Sequence, residues 1–165
     1  MNSGTPIITP LALFLLLTTL LTIAGLVATT AIGFMASPAH TAQHMLVALA
    51  TLLIGLFSQS MTMFFFIGSG KEIKEKIKGR VEESSVVQQT RSFKSRVFPA
   101  AMYSIAILMV TFITGGGVAA AKTPKWMHLI LAFVAVGMYL RAYLVQLRAM
   151  DENARLMEKY LGSSG

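Results

Sequence analysis

The sequence contains no cysteine. Disulfides, thiolate nucleophiles, iron–sulfur clusters and cysteine-bound zinc are therefore excluded, and any metal chemistry has to use histidine, methionine or oxygen ligands. Charge is also scarce, because only 13% of the 165 residues are charged whereas 55% are hydrophobic. A soluble domain usually has about a quarter of its residues charged. The composition therefore indicates an integral membrane protein.

Acidic side chains are absent from every long apolar run. All seven Asp and Glu residues lie in the segments 72–83 and 151–158, which disfavours proton-coupled transport by an intramembrane carboxylate. The sequence also has no Walker loop and no HExxH or GxSxG pattern, so the common signatures of nucleotide, zinc-protease and serine-hydrolase chemistry are missing. A carrier or accessory subunit is favoured over an enzyme, and a small transporter or channel is the weakest interpretation.

Four apolar runs are long enough to cross the hydrocarbon core, which takes about 20 helical residues. They cover approximately residues 8–35, 45–67, 98–121 and 126–147. The first run is longer than the apolar region of a signal peptide and no basic residue precedes it, so we expect a retained helix. The predicted fold is all-α, an integral membrane four-helix bundle with up-down-up-down topology.

Basic residues fall almost entirely on one side of these runs. The segment 71–97 and the residues from Arg141 onward carry twelve of the fourteen Lys and Arg, and only Lys122 and Lys125 lie on the other side. The positive-inside rule predicts that both termini and the 71–97 loop are cytoplasmic, with outer connections at 37–39 and 122–125. The bacterial inner membrane is the expected location, and topology explains the net charge of +7 better than nucleic-acid binding does.

Two cytoplasmic segments have amphipathic helical patterns. Ile73, Ile77 and Val81 repeat every four residues, which predicts that the second helix continues into the cytoplasm. The segment 148–161 is predicted to be an amphipathic C-terminal helix. Its apolar stripe, expected to be buried in an assembly contact, consists of Leu147, Met150, Ala154, Met157 and Leu161. These arms could lie on anionic lipid, pack on each other or meet a partner, and a homo-oligomer or a larger membrane complex is expected.

All three histidines fall on the predicted outer side. His40 lies beside the first outer connection and is interpreted as a hydrogen-bonded interfacial residue. His44 and His128 open the second and fourth helices, which run in the same direction, so they are expected at similar depth. Steps of four and three residues from each histidine follow small or hydroxyl side chains, namely Ala48, Thr51, Gly55, Ser58 and Thr62, and Ala132, Ala135, Tyr139, Ala142 and Gln146. Such faces favour close helix packing.

Polar residues cluster deep in the second predicted helix. Ser58, Gln59 and Ser60 lie well inside the apolar run. Hydrogen bonds between helices explain such a cluster better than a substrate site does, because they are a routine contact in membrane bundles.

Two imidazoles at one depth on inward faces can do three kinds of chemistry. They can ligate the iron of a haem, share another metal, or carry protons at a quinone pocket. For a haem, the small residues Ala48, Thr51, Ala132 and Ala135 just below the histidines would leave room for the flat macrocycle.

The two halves of the chain resemble each other. TIAGLVATTAIGFMASPAHTAQHMLVALATLL can be laid against TFITGGGVAAAKTPKWMHLILAFVAV, since each has a glycine-containing helix end, a short linker with proline, and a histidine followed by an apolar run. This pattern predicts two helical hairpins in the same orientation, related as parallel repeats about an axis along the membrane normal.

The segments around HMLVALATLL and HLILAFVAV also resemble the histidine helices of four-helix membrane haem bundles, including the half-bundles of haem A synthase and the transmembrane b-type cytochromes. The resemblance covers Gly25–Leu53 and Gly115–Val136. It implies one haem b near the outer face, ligated by His44 and His128, and a role in electron transfer with a quinone or redox protein as partner. Helices one and three contain no histidine, so neither a second haem nor the synthase reaction is expected. The alternative is a cofactor-free structural subunit of a larger membrane complex.

Overall fold

The computed structural model describes residues 9–35 and 40–161, and these form four α-helices. They are α1 (Pro10–Met35), α2 (Thr41–Ile77), α3 (Glu83–Ala119) and α4 (Lys125–Leu161). All four are long and apolar enough to cross a membrane, and the described residues contain no strand. The predicted all-α fold with four long apolar helices is confirmed. The predicted connection at 37–39 lies outside the described residues.

The described connections are short and have the chemistry of helix ends. After α2, the amide of Arg80 donates to the carbonyl of Ile77 at 3.0 Å, and Gly79 takes a φ of 80°. Glycine adopts this left-handed conformation without steric cost, so the chain can turn there. Pro124 directly precedes α4, where its fixed φ favours starting a helix.

Neighbouring helices run antiparallel. Thr19 in α1 is hydrogen bonded to Ser58 in α2, whereas Gly33 near the end of α1 lies against His44 at the start of α2. Helices α3 and α4 are paired in the same way. Within the described residues the backbones of α1 and α3 stay apart, whereas α2 and α4 contact each other across the bundle. Helices α2 and α4 are therefore parallel and form the shorter diagonal.

Three of the four helices are longer than the predicted membrane runs. Helices α2, α3 and α4 each have 37 residues, which corresponds to about 55 Å at 1.5 Å per residue. The hydrocarbon core of a membrane is about 30 Å thick, so a helix of this length is longer than a span requires. As a result, the segment 71–97 is helical except at 78–82, and it forms the end of α2 and the beginning of α3.

The extended ends pack on each other. Ile73 and Ile77 are fully buried with Val86 and Tyr160, so the predicted continuation of α2 as an amphipathic arm is confirmed. The extension of that pattern to Val81 is wrong, because Val81 lies in the turn between α2 and α3 and is fully exposed. The four-residue period fails there because the helix has already ended at Ile77.

Part of the C-terminal apolar stripe also packs against other helices of the same chain. Met150 and Ala154 are buried, and Met150 packs in one cluster with Leu16, Phe66 and Phe93. Leu147, by contrast, is exposed. The prediction that this stripe is buried in an assembly contact is therefore wrong for Met150 and Ala154, because helices α1, α2 and α3 of the same chain already cover Met150.

The interior of the bundle is built largely from small and hydroxyl side chains. On α2 and α4 the stripes below the two histidines face inward, and the fully or nearly fully buried members are Thr51, Gly55, Ser58 and Thr62, and Ala132, Ala135, Tyr139, Ala142 and Gln146. Small residues let helix backbones approach closely, which is how helices pack in a solvent as apolar as their own side chains. Large apolar side chains instead cover the outside, where lipid would surround them.

Candidate functional site

His44 and His128 lie against each other at one end of the bundle. Each is in the opening turn of its helix, and the helices are the diagonal pair α2 and α4. The two ring centroids are 6.3 Å apart, and the ring planes are nearly perpendicular, at 88°. Sequence alone predicted a shared depth for the two imidazoles. The structure adds that the two rings lie next to each other, edge to face, across the diagonal of the bundle.

Each imidazole also lies against a glycine of the preceding helix. A Cβ atom on Gly33 of α1 would lie 3.2 Å from Cε1 of His44, and a Cβ on Gly115 of α3 would lie 2.9 Å from Cε1 of His128. Both distances are tighter than ordinary contacts, and the same ring atom is the nearest in both cases. Glycine at these two positions therefore allows both rings to sit between the helices.

The two histidine–glycine pairs belong to an internal repeat. His44 and His128 are 84 positions apart, and most of the buried positions of α2 below His44 have a buried counterpart 84 positions later in α4. These pairs are Thr51 and Ala135, Gly55 and Tyr139, Ser58 and Ala142, Thr62 and Gln146, Phe66 and Met150, Ser69 and Asn153, and Gly70 and Ala154.

Helices α1 and α3 repeat with an offset of 82 positions. Leu15, Thr19, Thr22, Leu26 and Thr29 of α1 are buried, and so are their counterparts Val97, Ala101, Ser104, Leu108 and Thr111 of α3. Gly33 and Gly115 are separated by the same offset. The burial pattern supports two hairpins related by an approximate two-fold axis along the bundle, with the histidine pair close to that axis.

The second ring nitrogens of the two histidines have different surroundings. Nδ1 of His128 lies 3.4 Å from Oγ1 of Thr114, whose hydroxyl donates to the carbonyl of Thr111 at 2.9 Å. That hydroxyl oxygen can therefore accept a hydrogen bond from Nδ1–H of His128, which leaves the Nε2 lone pair free. Nδ1 of His44 is buried and has no hydrogen-bond partner among the described residues.

The other predicted site residues lie directly below the rings. Thr51, Ala132 and Ala135 are buried and Ala48 is half-buried. The hydroxyl of Thr51 donates to the carbonyl of Val47 in its own helix at 2.8 Å, so it is engaged locally. These four residues contribute small volume, and none of their side chains is placed as a hydrogen-bonding group for a ligand.

Sequence reasoning missed two residues of the site, Gly33 and Thr114, and the role of Gly115 as the contact of His128. Aligning the two halves of the sequence with one constant offset for α1 and α3 would have paired the two glycines, since Gly33 and Gly115 are equivalent in the repeat. His40 is exposed at the N-cap of α2 and does not belong to the ring pair.

Deeper in the bundle, a polar layer joins three helices. The hydroxyls of Thr19 and Ser58 are 2.6 Å apart, and Thr19 also donates to Oε1 of Gln146 at 3.1 Å. Nε2 of Gln146 in turn donates to Oε1 of Gln59 at 2.6 Å. The predicted hydrogen bonding of Ser58 and Gln59 between helices is confirmed.

The described residues contain no group of three or more His, Cys, Asp or Glu that could hold a metal ion by themselves. A haem needs only axial ligands from the protein, because the macrocycle itself supplies the remaining nitrogens. No known protein family matches the chain, and no curated protein or solved structure is significantly similar to it. The histidine pair is therefore the feature of the chain that bears most directly on its function.

Proposed function

We propose that this protein is a membrane haem-b protein of electron transfer, with His44 and His128 as the two axial ligands. The observation that carries this proposal is the close approach of the two imidazole rings across the α2–α4 diagonal. A bound haem would supply one-electron chemistry at this end of the bundle. The residues of the chain hold the two ligand rings at a fixed separation between four helices.

The spacing of the rings suits a shared metal centre. A metal–imidazole bond is about 2 Å long and a ring nitrogen lies roughly 1 Å from its ring centre, so two imidazoles on opposite sides of one metal have centres roughly 6 Å apart. The centroid distance here is 6.3 Å. The perpendicular ring planes are compatible with this arrangement, because rotation of a ring about its metal–nitrogen bond leaves the spacing unchanged.

The hydrogen bonding at His128 also suits ligation of a metal. A metal-bound histidine usually donates its other ring N–H to a neighbouring oxygen, which fixes the orientation of the ring. Thr114 is placed for that role beside His128. For His44 the buried Nδ1 has no such partner among the described residues. One ligand is therefore oriented by a hydrogen bond, and the other mainly by its packing against Gly33.

The test is a titration of the purified protein with haem in detergent or nanodiscs. We expect saturable binding of one haem per chain with the absorption spectrum of a six-coordinate low-spin iron. A protein that stays colourless when expressed with ample haem, and that binds none in the titration, would leave the cofactor-free subunit as the function. Tight binding of Zn²⁺ or Cu²⁺ without haem would instead support a shared metal ion.

The proposed orientation places the histidine pair at the outer face of a bacterial inner membrane. Most of the fourteen basic residues lie toward the opposite end of the bundle from His44 and His128, and the positive-inside rule assigns that end to the cytoplasm. Both termini are then cytoplasmic, and the turn at 120–124 is external.

Single cysteines test this orientation directly, because the chain has none of its own. Thr123→Cys is expected to react with a membrane-impermeant thiol reagent added to intact cells. Ser85→Cys, in the opposite end of the bundle, is expected to react only after the cells are opened. The reverse pattern of labelling would contradict the orientation and move the histidine pair to the cytoplasmic face.

A second observation favours a role inside a larger complex. Arg141 is the only charged residue of α4 between Lys125 and Arg148, it is exposed, and it has no hydrogen bond or ion pair with any described residue. It lies seven residues, or about 10 Å, before Arg148, well inside the apolar part of the helix. A charged side chain at such a depth is costly unless it is paired.

The partner of Arg141 is proposed to be an acidic side chain on a helix of another membrane protein. Side chains in a helix lean toward its N-terminus, and for α4 this direction leads away from the cytoplasmic headgroups. Gly137, one turn away, is exposed with open space around it, so a second helix can approach closely there. A second copy of the chain cannot supply the acid, because all seven acidic residues lie at 72–83 and 151–158.

Arg141→Gln is expected to reduce recovery of the native complex from mildly solubilised membranes by about tenfold or more, because a desolvated charge pair is lost. Arg148→Gln is the matched control on the same helix and is expected to leave recovery nearly unchanged. The measurement is the amount and mass of the complex on native gels. Equal losses from both variants would contradict a specific pairing of Arg141.

A further inference from the structure

The two hairpins differ most at the middle of the bundle. At one pair of equivalent positions α2 has Gly55 and α4 has Tyr139. The phenol of Tyr139 crosses the approximate two-fold axis and reaches the backbone of α2, since a Cβ atom on Gly55 would lie 2.7 Å from its Oη. The large side chain of one repeat thus fills the space left by the small residue of the other.

Two polar atoms in this region are buried without a partner among the described residues. They are Oη of Tyr139 and Nε2 of Gln59, and both side chains are fully buried. A buried polar atom without a hydrogen bond is costly, and buried polar groups in native proteins are nearly always satisfied by protein or by ordered water. Two such atoms in one part of the interior therefore point to a common partner.

Helix geometry places the two side chains at neighbouring levels of the bundle. Gly55 and Gln59 are one turn apart on α2, where neighbouring Cβ positions are about 5–6 Å apart. The side chain of Gln59 leans toward the N-terminus of its helix, and so toward the level of Gly55 and the Tyr139 hydroxyl. Ala142, three residues after Tyr139 on α4, is fully buried and contributes only a methyl group.

The chemistry of the surroundings defines the ligand. Nε2 of Gln59 needs an acceptor, whereas the Tyr139 hydroxyl can donate or accept. The buried polar residues described for this chain are hydroxyl and amide side chains without formal charge, so an ion would lack a counter-charge. A water molecule meets both demands, and a buried water typically has two to four polar partners.

We propose that one ordered water molecule binds in the middle of the bundle and bridges Oη of Tyr139 to Nε2 of Gln59. The water accepts from the Gln59 amide and donates to, or accepts from, the Tyr139 hydroxyl. It continues the hydrogen-bonded chain of Thr19, Gln146 and Gln59 as far as Tyr139. This site is independent of the histidine pair and of any haem.

Thermal unfolding of Tyr139→Phe tests the proposal, because phenylalanine keeps the ring and removes only the hydroxyl. Loss of a water-mediated hydrogen bond is expected to lower the Tm by about 2–4 °C. Tyr143→Phe, one turn away on the same helix, is the matched control and is expected to change the Tm by less. An unchanged or higher Tm for Tyr139→Phe would overturn the proposal, since removing a hydroxyl without a partner stabilises or is neutral.

A second measurement detects the water directly and does not depend on the thermal stability of the protein. Solid-state NMR of the protein in nanodiscs is expected to show magnetisation transfer from water to both the Tyr139 hydroxyl and the Gln59 side-chain amide. In Tyr139→Phe the transfer from water to the Gln59 amide is expected to decrease, because the bridging water is lost together with the hydroxyl that holds it. Transfer that is absent in the unmodified protein, or that is unaffected at Gln59 in the variant, would contradict a shared water.

Discussion

His44→Ala and His128→Ala are each expected to abolish the low-spin haem spectrum and to weaken haem binding by about 100-fold or more. Loss of groups that only orient a metal ligand already costs about 10–100-fold in affinity, and these variants would remove the proposed ligand itself. Each variant would leave a single imidazole to hold the group, so the absorption spectrum is expected to change to a high-spin form. Absorption spectra recorded during haem titration of each variant measure both effects.

His40→Ala is the matched control for this experiment. His40 lies four residues before His44, but it is exposed at the helix cap and its ring is not part of the His44–His128 pair. Its replacement is expected to leave the spectrum and the affinity nearly unchanged. If His40→Ala removed the low-spin spectrum while His44→Ala kept it, the ligand assignment from the ring geometry would be wrong.

Gly55→Ala is expected to destabilise the bundle strongly. A Cβ atom at this position would lie 2.7 Å from Cδ2 of Leu108, 2.7 Å from Oη of Tyr139 and 2.8 Å from Cγ2 of Thr22, so side chains from three other helices would have to move. Forcing an extra methyl group into a packed core typically costs about 1–3 kcal/mol. This exceeds the roughly 0.5–1 kcal/mol that alanine gains over glycine within a helix. A lower Tm in thermal unfolding is therefore expected.

Gly68→Ala provides the comparison within the same helix. Nothing lies within 4 Å of a Cβ atom built at Gly68, so only the helix propensity of alanine acts there, and the Tm is expected to rise slightly. Opposite signs for the two variants would identify close packing at Gly55 as the cause. Equal effects would show that the interior can relax around position 55.

Several features of this protein follow from the sequence alone. The length of the apolar runs predicts four helices, and the three- and four-residue spacing after His44 and His128 identifies the faces that are buried. These predictions succeed because helical periodicity is a local property, so an inward face can be read from the residues of one segment. Val81 shows the limit of this reasoning, since the four-residue pattern continues past the residue where α2 ends.

The lateral arrangement of the helices is decided only by the tertiary structure. Periodicity states which face of α4 is buried, but not which side chain of α2 meets Tyr139 or His128. These contacts depend on complementary shapes along whole helices. Tyr139, for example, lies against Gly55, and each of the two histidines lies against a glycine. Close packing makes these contacts mutually dependent, because a large side chain is accommodated only where several neighbours are small at once. The sequence thus determines the helices and their inward faces, and packing among all four decides that two histidines meet.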